Sequence, residues 1–255
     1  MKQAASFQVL GVPIAAVQLP DVVAQMESWI ANRDRTHYIC VTNVHVIMEG
    51  RKDRSFEEVL RSADLCIPDG MPLVWIGRRR GYALHRPTCG PDLLIDFCRT
   101  TQDAKYAHFF LGGQPNIAKK LVNELQRRFP GVRVAGVCSP PFRKLTKAED
   151  EEITEQINRA APDVLWVGLG CPKQERWMRE HRDDLRIPVV VGVGQAFDIH
   201  AGETNRAPLW MRKNGLEWFF RFCQEPRRLW RRYLICNTKF IFALLQEALN
   251  SSSQR

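Results

Sequence analysis

The sequence predicts an α/β sandwich around a mostly parallel sheet, followed by a helical appendage. Three observations carry that reading. Short apolar runs rich in Val, Ile, Leu and Phe alternate with stretches of helical periodicity as far as Gly194, the order of βαβ units. The runs are apolar nearly throughout rather than at every second residue, as expected of parallel strands buried on both faces. After Asn205 the strand pattern stops and only helical patterns remain.

The elements follow in order. "FQVLGVPIAAVQLPD" reads as a first strand and turn; Gln8 and Pro13 interrupt it and one Lys precedes it, which is a poor match to a secretory signal. A helix over 20–32 leads to the strand "YICVTN", and a helix over 56–62 leads to "DLCIPDG". A helix over 92–101 precedes "AHFFLGG", and one over 115–129 precedes "VRVAGVCSPP". Helices over 147–161 and 173–182 then flank "DVLWVGLG", and "IPVVVGVG" is the last strand. Residues 1–205 are thus expected to form the α/β body and 206–250 a basic amphipathic appendage.

Within the appendage, "APLWMRKNGLEWFFRFCQ" reads as one helix. Pro226 suits the first turn of the next, with Glu225 near its positive N-terminal end. On a continuous helix turning about 100° per residue, Arg227, Arg228, Arg231, Arg232 and Lys239 share one arc. Leu229, Trp230, Tyr233, Leu234, Phe240, Ile241 and Leu244 oppose them, while Ile235 and Phe242 break the basic face. Such a helix either packs its apolar arc on the body and leaves its arginines in water, or presents a surface to phosphates, a membrane, or both. The tail "NSSSQR" is expected to fray.

Composition limits the function classes. Over 255 residues, Lys plus Arg number 37 and Asp plus Glu 28, a net charge of +9. Residues 206–239 hold nine basic and two acidic residues, so +7 of that charge sits in one segment, whose partner is expected to be anionic. The eight cysteines form no CxxC pair and several lie in apolar runs, which reads as buried free thiols of a reducing cytoplasm. The six histidines form no HExxH or Cys-His cluster, so no metal site is expected. No run of apolar residues is long enough to span a bilayer.

In parallel α/β sheets, ligands bind beyond the carboxyl ends of the strands. Asp69 follows an apolar run and precedes Gly70. A carboxylate there is poised to take a proton from a hydroxyl, or serves as an ordinary turn residue or helix cap. Gly112 and Gly113 precede a helix whose N-terminus could hold an anion, although any strand-to-helix turn uses glycine. Gln174 in "GCPKQE" stands where an amide could bond a sugar or diphosphate, or face solvent. Asp198 in "GVGQAFDIHAG" could accept from a base N–H or a ribose hydroxyl. No GxGxxG or P-loop lysine motif is present, which argues against a nicotinamide enzyme or an NTPase.

"IPDG", "LGG", "GLGCPKQE", "GVGQAFDIHAG", "RAPLWMRKNGLEWFFRF" and "QEPRRLWRRYL" together resemble the WecG/TagA/CpsF family of bacterial glycosyltransferases, in the same order and over nearly the whole chain. The resemblance implies a Rossmann-like body and an inverting, metal-independent transfer that needs no cofactor. It implies a UDP-sugar donor, with an N-acetylmannosamine-type or uronic acid sugar. The implied acceptor is a polyprenyl-diphosphate-linked sugar at the inner face of the bacterial plasma membrane, in wall or exopolysaccharide synthesis. By the same resemblance Asp69 is the base, Gln174 contacts substrate, Asp198 lies near the uridine, and Arg221, Arg228 and Arg231 close over the diphosphate. Where the family often has a functional threonine, this chain has Val41, followed by Thr42 and Asn43; either of these two is a candidate for that role. Arginines would then neutralise the leaving diphosphate in place of a metal. The expected partners are the donor, the lipid-linked acceptor and an anionic membrane surface, with homo-oligomerisation left open. The competing reading is a basic nucleic-acid-binding or membrane-surface protein without transferase activity. The strand-end turns go unexplained on that reading, and no nucleic acid is expected.

Overall fold

The computed structural model describes residues 4–104 and 106–252, with the side chains of Arg228, Arg232, Ser251 and Ser252 left aside. The chain opens with β1 (Ser6–Val9) and β2 (Val12–Ala15), an antiparallel hairpin apart from the main sheet. Then come α1 (Leu19–Asn32), β3 (His37–Thr42), α2 (Val44–Lys52), α3 (Arg54–Arg61), β4 (Leu65–Pro68), α4 (Met71–Arg79) and α5 (Gly90–Thr101). They are followed by β5 (Ala107–Gly112), α6 (Pro115–Arg128), β6 (Arg133–Cys138), α7 (Lys147–Ala160), β7 (Val164–Gly168), α8 (Lys173–Glu180), β8 (Val189–Gly192) and α9 (Ala196–His200). The appendage holds α10 (Leu209–Lys213), α11 (Glu217–Gln224), α12 (Pro226–Trp230), a π-helical turn (Arg231–Cys236) and α13 (Asn237–Ser252).

Six strands form one parallel sheet in the order β4-β3-β8-β7-β5-β6. The predicted α/β class holds, and the pleat explains why the strands are apolar throughout. Tyr38, Cys40, Leu165, Val167 and Val190 face one layer of helices, and Ile39, Val41, Val164, Trp166 and Val191 face the other. Cys40, Cys66, Cys89 and Cys98 are buried free thiols as expected, but Cys223 is exposed.

Local chemistry sets the boundaries that matter for the site. α2 starts at Val44 because the Asn43 side chain accepts hydrogen bonds from the backbone N–H groups of His45 and Val46. This helix, α4 and α9 were not anticipated, since each begins directly at a strand-end turn. The expected single helix over "APLWMRKNGLEWFFRFCQ" is divided in two. Gly215 takes φ +73°, a left-handed conformation that suits glycine and ends α10.

The single apolar arc is overturned. The π-helical turn changes the angular step between α12 and α13, so residues beyond Trp230 leave the phase of a continuous α-helix. Phe240 and Ala243 pack into the core of the body and Leu229 is buried at the cavity, whereas Trp230, Leu234, Ile241 and Phe242 are exposed. The apolar residues of the appendage therefore face two directions. Among the described residues, no helix is long and apolar enough to cross a membrane.

Candidate active site

The carboxyl ends of β4, β3, β8 and β7, four consecutive strands, open into a cavity of about 890 Å³ that the appendage roofs. Asn43, Asp69, Gly170, Gln174, Gly194 and Asp198 come from these strand ends, and Arg206, Arg221, Arg231 and Lys239 come from the appendage.

Asp69 and Asn43 meet because their strands are neighbours. The Asp69 N–H donates to the carbonyl of Thr42 at 2.8 Å, and Asn43 Nδ2 donates to Asp69 Oδ2 at 3.1 Å. Asn43 Oδ1 is held by the first turn of α2, with His45 N at 3.1 Å and Val46 N at 3.2 Å. One amide thus starts a helix and aims a carboxylate. Thr42 is fully buried, donates its hydroxyl to the Cys40 carbonyl at 3.1 Å and does not line the cavity. Of the two candidates for the threonine's place, Asn43 is the one whose side chain reaches the Asp69 carboxylate.

Gln174 lines the cavity, but its amide is committed within the protein. Oε1 accepts from Gly170 N at 3.2 Å and Gly194 N at 3.1 Å, tying together the turns after β7 and β8. Nε2 donates to Glu175 Oε1 at 2.9 Å. Glu175 is buried, and its Oε2 has no hydrogen-bond partner among the described residues. Burial pushes its carboxyl above the ordinary carboxylate value, with hydrogen bonds from Gln174 and Cys171 offsetting part of the effect.

Gly112 and Gly113 do not line the cavity. They end β5, one strand beyond the four that bear the site. Gly112 is instead pressed against β7: a Cβ there would lie 2.5 Å from the Gly168 carbonyl oxygen. Asp198 lines the cavity, while its backbone carbonyl accepts from Glu203 N at 2.9 Å and Thr204 N at 3.2 Å.

Among the appendage arginines, Arg221 and Arg231 line the cavity, and the Arg231 guanidinium lies 5.2 Å over the Trp230 ring. The side chain of Arg228 is outside the described residues. Arg206 also lines the cavity. Its guanidinium forks onto Asp92, with Nη2 to Oδ2 at 2.7 Å, and its Nε reaches Glu217 at 3.4 Å. Sequence reasoning missed His45, Glu49 and Lys52, three wall residues from α2. Their spacing of four and three residues after the Asn43 cap is the signal that could have found them. Lys52 and Glu49 pair at 2.6 Å. The wall therefore holds carboxylates at the strand ends and cations on the roof, an arrangement able to bind an anionic substrate and accept a proton beside it.

The model of the glycosyl transferase WecG/TagA/CpsF family matches residues 7–254. Similar proteins include an N-acetylglucosaminyldiphosphoundecaprenol N-acetyl-β-D-mannosaminyltransferase of Bacillus spizizenii, 29% identical over 90% of this chain and 86% of that protein. A protein of the same description from Bacillus subtilis is 27% identical over 95% of this chain and 92% of its own. One from Staphylococcus aureus is 25% identical over 89% and 88%.

Proposed function

The chain belongs to the WecG/TagA/CpsF family of glycosyl transferases, and from that premise we propose that it moves an N-acetylmannosamine-type sugar from a UDP-sugar to a polyprenyl-diphosphate-linked N-acetylglucosamine. The observation that carries the reading is that Asp69 and several cationic side chains line one cavity at the strand ends. The descriptions of the relatives supply the sugar and acceptor classes.

On this reading Asp69 takes the proton from the acceptor hydroxyl as that oxygen bonds to the anomeric carbon. The bond from that carbon to the diphosphate oxygen breaks, and its electron pair leaves with UDP. Asn43 holds the Asp69 carboxylate through one of its oxygens and so orients it toward the acceptor hydroxyl. The leaving diphosphate gains negative charge, and Arg221 and Arg231, with Arg228 by resemblance, are the groups to stabilise it. A guanidinium offers two parallel donors to phosphate oxygens, so we read the transfer as metal-independent.

The outward Trp230, Leu234, Ile241 and Phe242 and the excess of basic residues in the appendage support peripheral attachment to an anionic membrane surface. The deciding experiment is a panel of UDP-sugars offered with a lipid-linked N-acetylglucosamine acceptor and read by mass, with and without excess EDTA. The expected product gains one N-acetylhexosamine in both conditions. No product from any UDP-sugar would end the reading, and loss of product with EDTA that Mg²⁺ or Mn²⁺ restores would end its metal-independent part.

A further inference from the structure

A second, smaller cavity of about 140 Å³ adjoins the first. Asn43, His45, Asp69, Glu217 and Arg221 line both, so the two spaces meet at the Asn43–Asp69 pair. Their other walls differ in chemistry. The large cavity adds Lys52, Arg206, Arg231 and Lys239, which suit a charged donor. The small one is walled by Met71, Pro72 and Pro87 from the body and by Arg212, Trp218 and Tyr233 from the appendage, one cation against four. The rings of Trp218 and Tyr233 lie 5.7 Å apart between centroids, inclined by 57°. Aromatic faces beside a few polar groups fit a neutral pyranose, whose C–H face packs on a ring while its hydroxyls find donors and acceptors.

We propose that the small cavity is the acceptor subsite, in which Trp218 and Tyr233 hold the terminal sugar of the lipid-linked acceptor with a hydroxyl toward Asp69. The inference rests on the acceptor class proposed above. Inverting transfer needs the attacking hydroxyl and the departing diphosphate on opposite sides of the anomeric carbon. Two cavities that meet at one carboxylate supply those two sides. The lipid end also has an exit. Phe219, whose ring lies 5.8 Å from that of Trp218, and Leu234 are exposed beside the subsite, so an isoprenoid chain leaves over apolar surface. Trp218 is itself 44% exposed, so its ring remains accessible to a ligand.

The test uses the full chain with a water-soluble acceptor, N-acetylglucosaminyl diphosphate on a short alkyl chain, and no vesicles, so that membrane attachment plays no part. Initial rates are measured against acceptor and donor separately for wild type, Trp218→Ala and Trp218→Phe, with UDP binding followed by calorimetry. Truncating an aromatic anchor should raise the acceptor KM about tenfold or more, with donor KM and UDP affinity nearly unchanged. Trp218→Phe keeps a ring and should recover most of the loss. Transfer by all three proteins with the same acceptor KM overturns the subsite and leaves the proposed function standing. So does a donor KM that rises as much as the acceptor KM. No transfer by wild type, despite tight UDP binding, overturns the acceptor class and this inference together.

Discussion

Arg206 reaches from the start of the appendage to the first turn of α5, where its guanidinium forks onto both carboxylate oxygens of Asp92. Arg212 approaches the same carboxylate at 3.6 Å, and Glu217 of α11 lies against Arg206. Burial opposes the charge of Asp92, but the hydrogen bonds and charge of Arg206 outweigh it and hold its carboxyl below the ordinary value. The cavity roof is thereby fastened to the body through ionic contacts beside the Asp69 turn.

Asp92→Ala should loosen this fastening. A hydrogen bond to a charged group contributes about 1.5–3 kcal/mol, so a loss at or below that range is expected, given the partial exposure of Asp92. A depressed carboxylate stabilises the fold above its unfolded value and loses that contribution as pH falls through the folded value. Wild type should therefore lose stability on acidification below pH 3.8, the ordinary value, by more than Asp92→Ala does. Thermal unfolding across an acid series measures this. Proteolysis of the variant should begin in the appendage; cleavage rates equal to wild type would show that the pair does not secure it.

Asp69→Asn keeps the shape of the side chain and removes its basicity. Loss of a general base costs about 10²–10⁴-fold in rate, and UDP affinity should hardly change. Asn43 separates two roles through two substitutions. Asn43→Asp retains an oxygen to cap α2 but loses the donor to Asp69 and places a second carboxylate beside it. It should unfold near the wild-type temperature with turnover strongly reduced. Asn43→Ala should lose turnover and also about 0.5–2 kcal/mol of stability. Normal turnover in folded Asp69→Asn would remove Asp69 from the mechanism.

The α/β class was legible because apolar runs mark buried strands. Local pattern brought Asp69 forward at a strand end but left it between a base and a turn residue, and only the family resemblance chose the base. The committed amide of Gln174 was not legible. Its bonds join Gly170 and Gly194, which come together only because β7 and β8 are neighbours. Strand order also decided Gly112 and Gly113, whose strand lies one place outside the site. The phase of the last helices failed for a different reason. A constant angular step cannot anticipate a π-helical turn, whose extra residue shifts the side chains after it.

Glu175 predicts a pH effect of opposite sign. Burial raises its carboxyl above the ordinary value of 4.5, so the folded chain holds this proton more tightly than the unfolded chain. Stability should then fall as pH rises from 4.5 through the folded value. Glu175→Gln keeps a neutral side chain that can still accept from Gln174 Nε2, and it has no proton to lose. The variant should flatten that part of the stability profile and keep its UDP affinity as pH rises. Glu175→Leu, with no acceptor, should release Gln174 and weaken UDP binding at every pH. Parallel profiles for wild type and Glu175→Gln would show that Glu175 is not the group responsible.

Membrane attachment should follow the charge and the outward apolar residues of the appendage. The chain should co-sediment with anionic vesicles, much less with neutral ones, and high salt should release it because headgroup attraction is screened. Ile241→Ser with Phe242→Ser removes outward apolar area while leaving both cavity walls intact. This double variant should bind vesicles more weakly and still turn over a soluble acceptor. Unchanged vesicle binding would assign the attachment to charge alone.

The last prediction separates the arginines of the appendage by geometry rather than charge. Arg221 and Arg231 line the cavity, whereas Arg227 is exposed and does not. The resemblance adds Arg228 to the diphosphate and leaves Arg232 to solvent or lipid. Lysine preserves charge but replaces a planar fork with a single point of donation, so it separates bidentate phosphate binding from general attraction. Arg221→Lys, Arg228→Lys and Arg231→Lys should each lower the rate at saturating donor on the order of 10-fold or more, as expected when donors to a developing charge are lost. Arg227→Lys and Arg232→Lys should remain near wild type. All five variants should keep their affinity for anionic vesicles, because lysine attracts phosphate as well. Equal, small losses across the five would reduce the segment to a charged anchor and assign stabilisation of the leaving diphosphate to Arg206, Lys52 or Lys239.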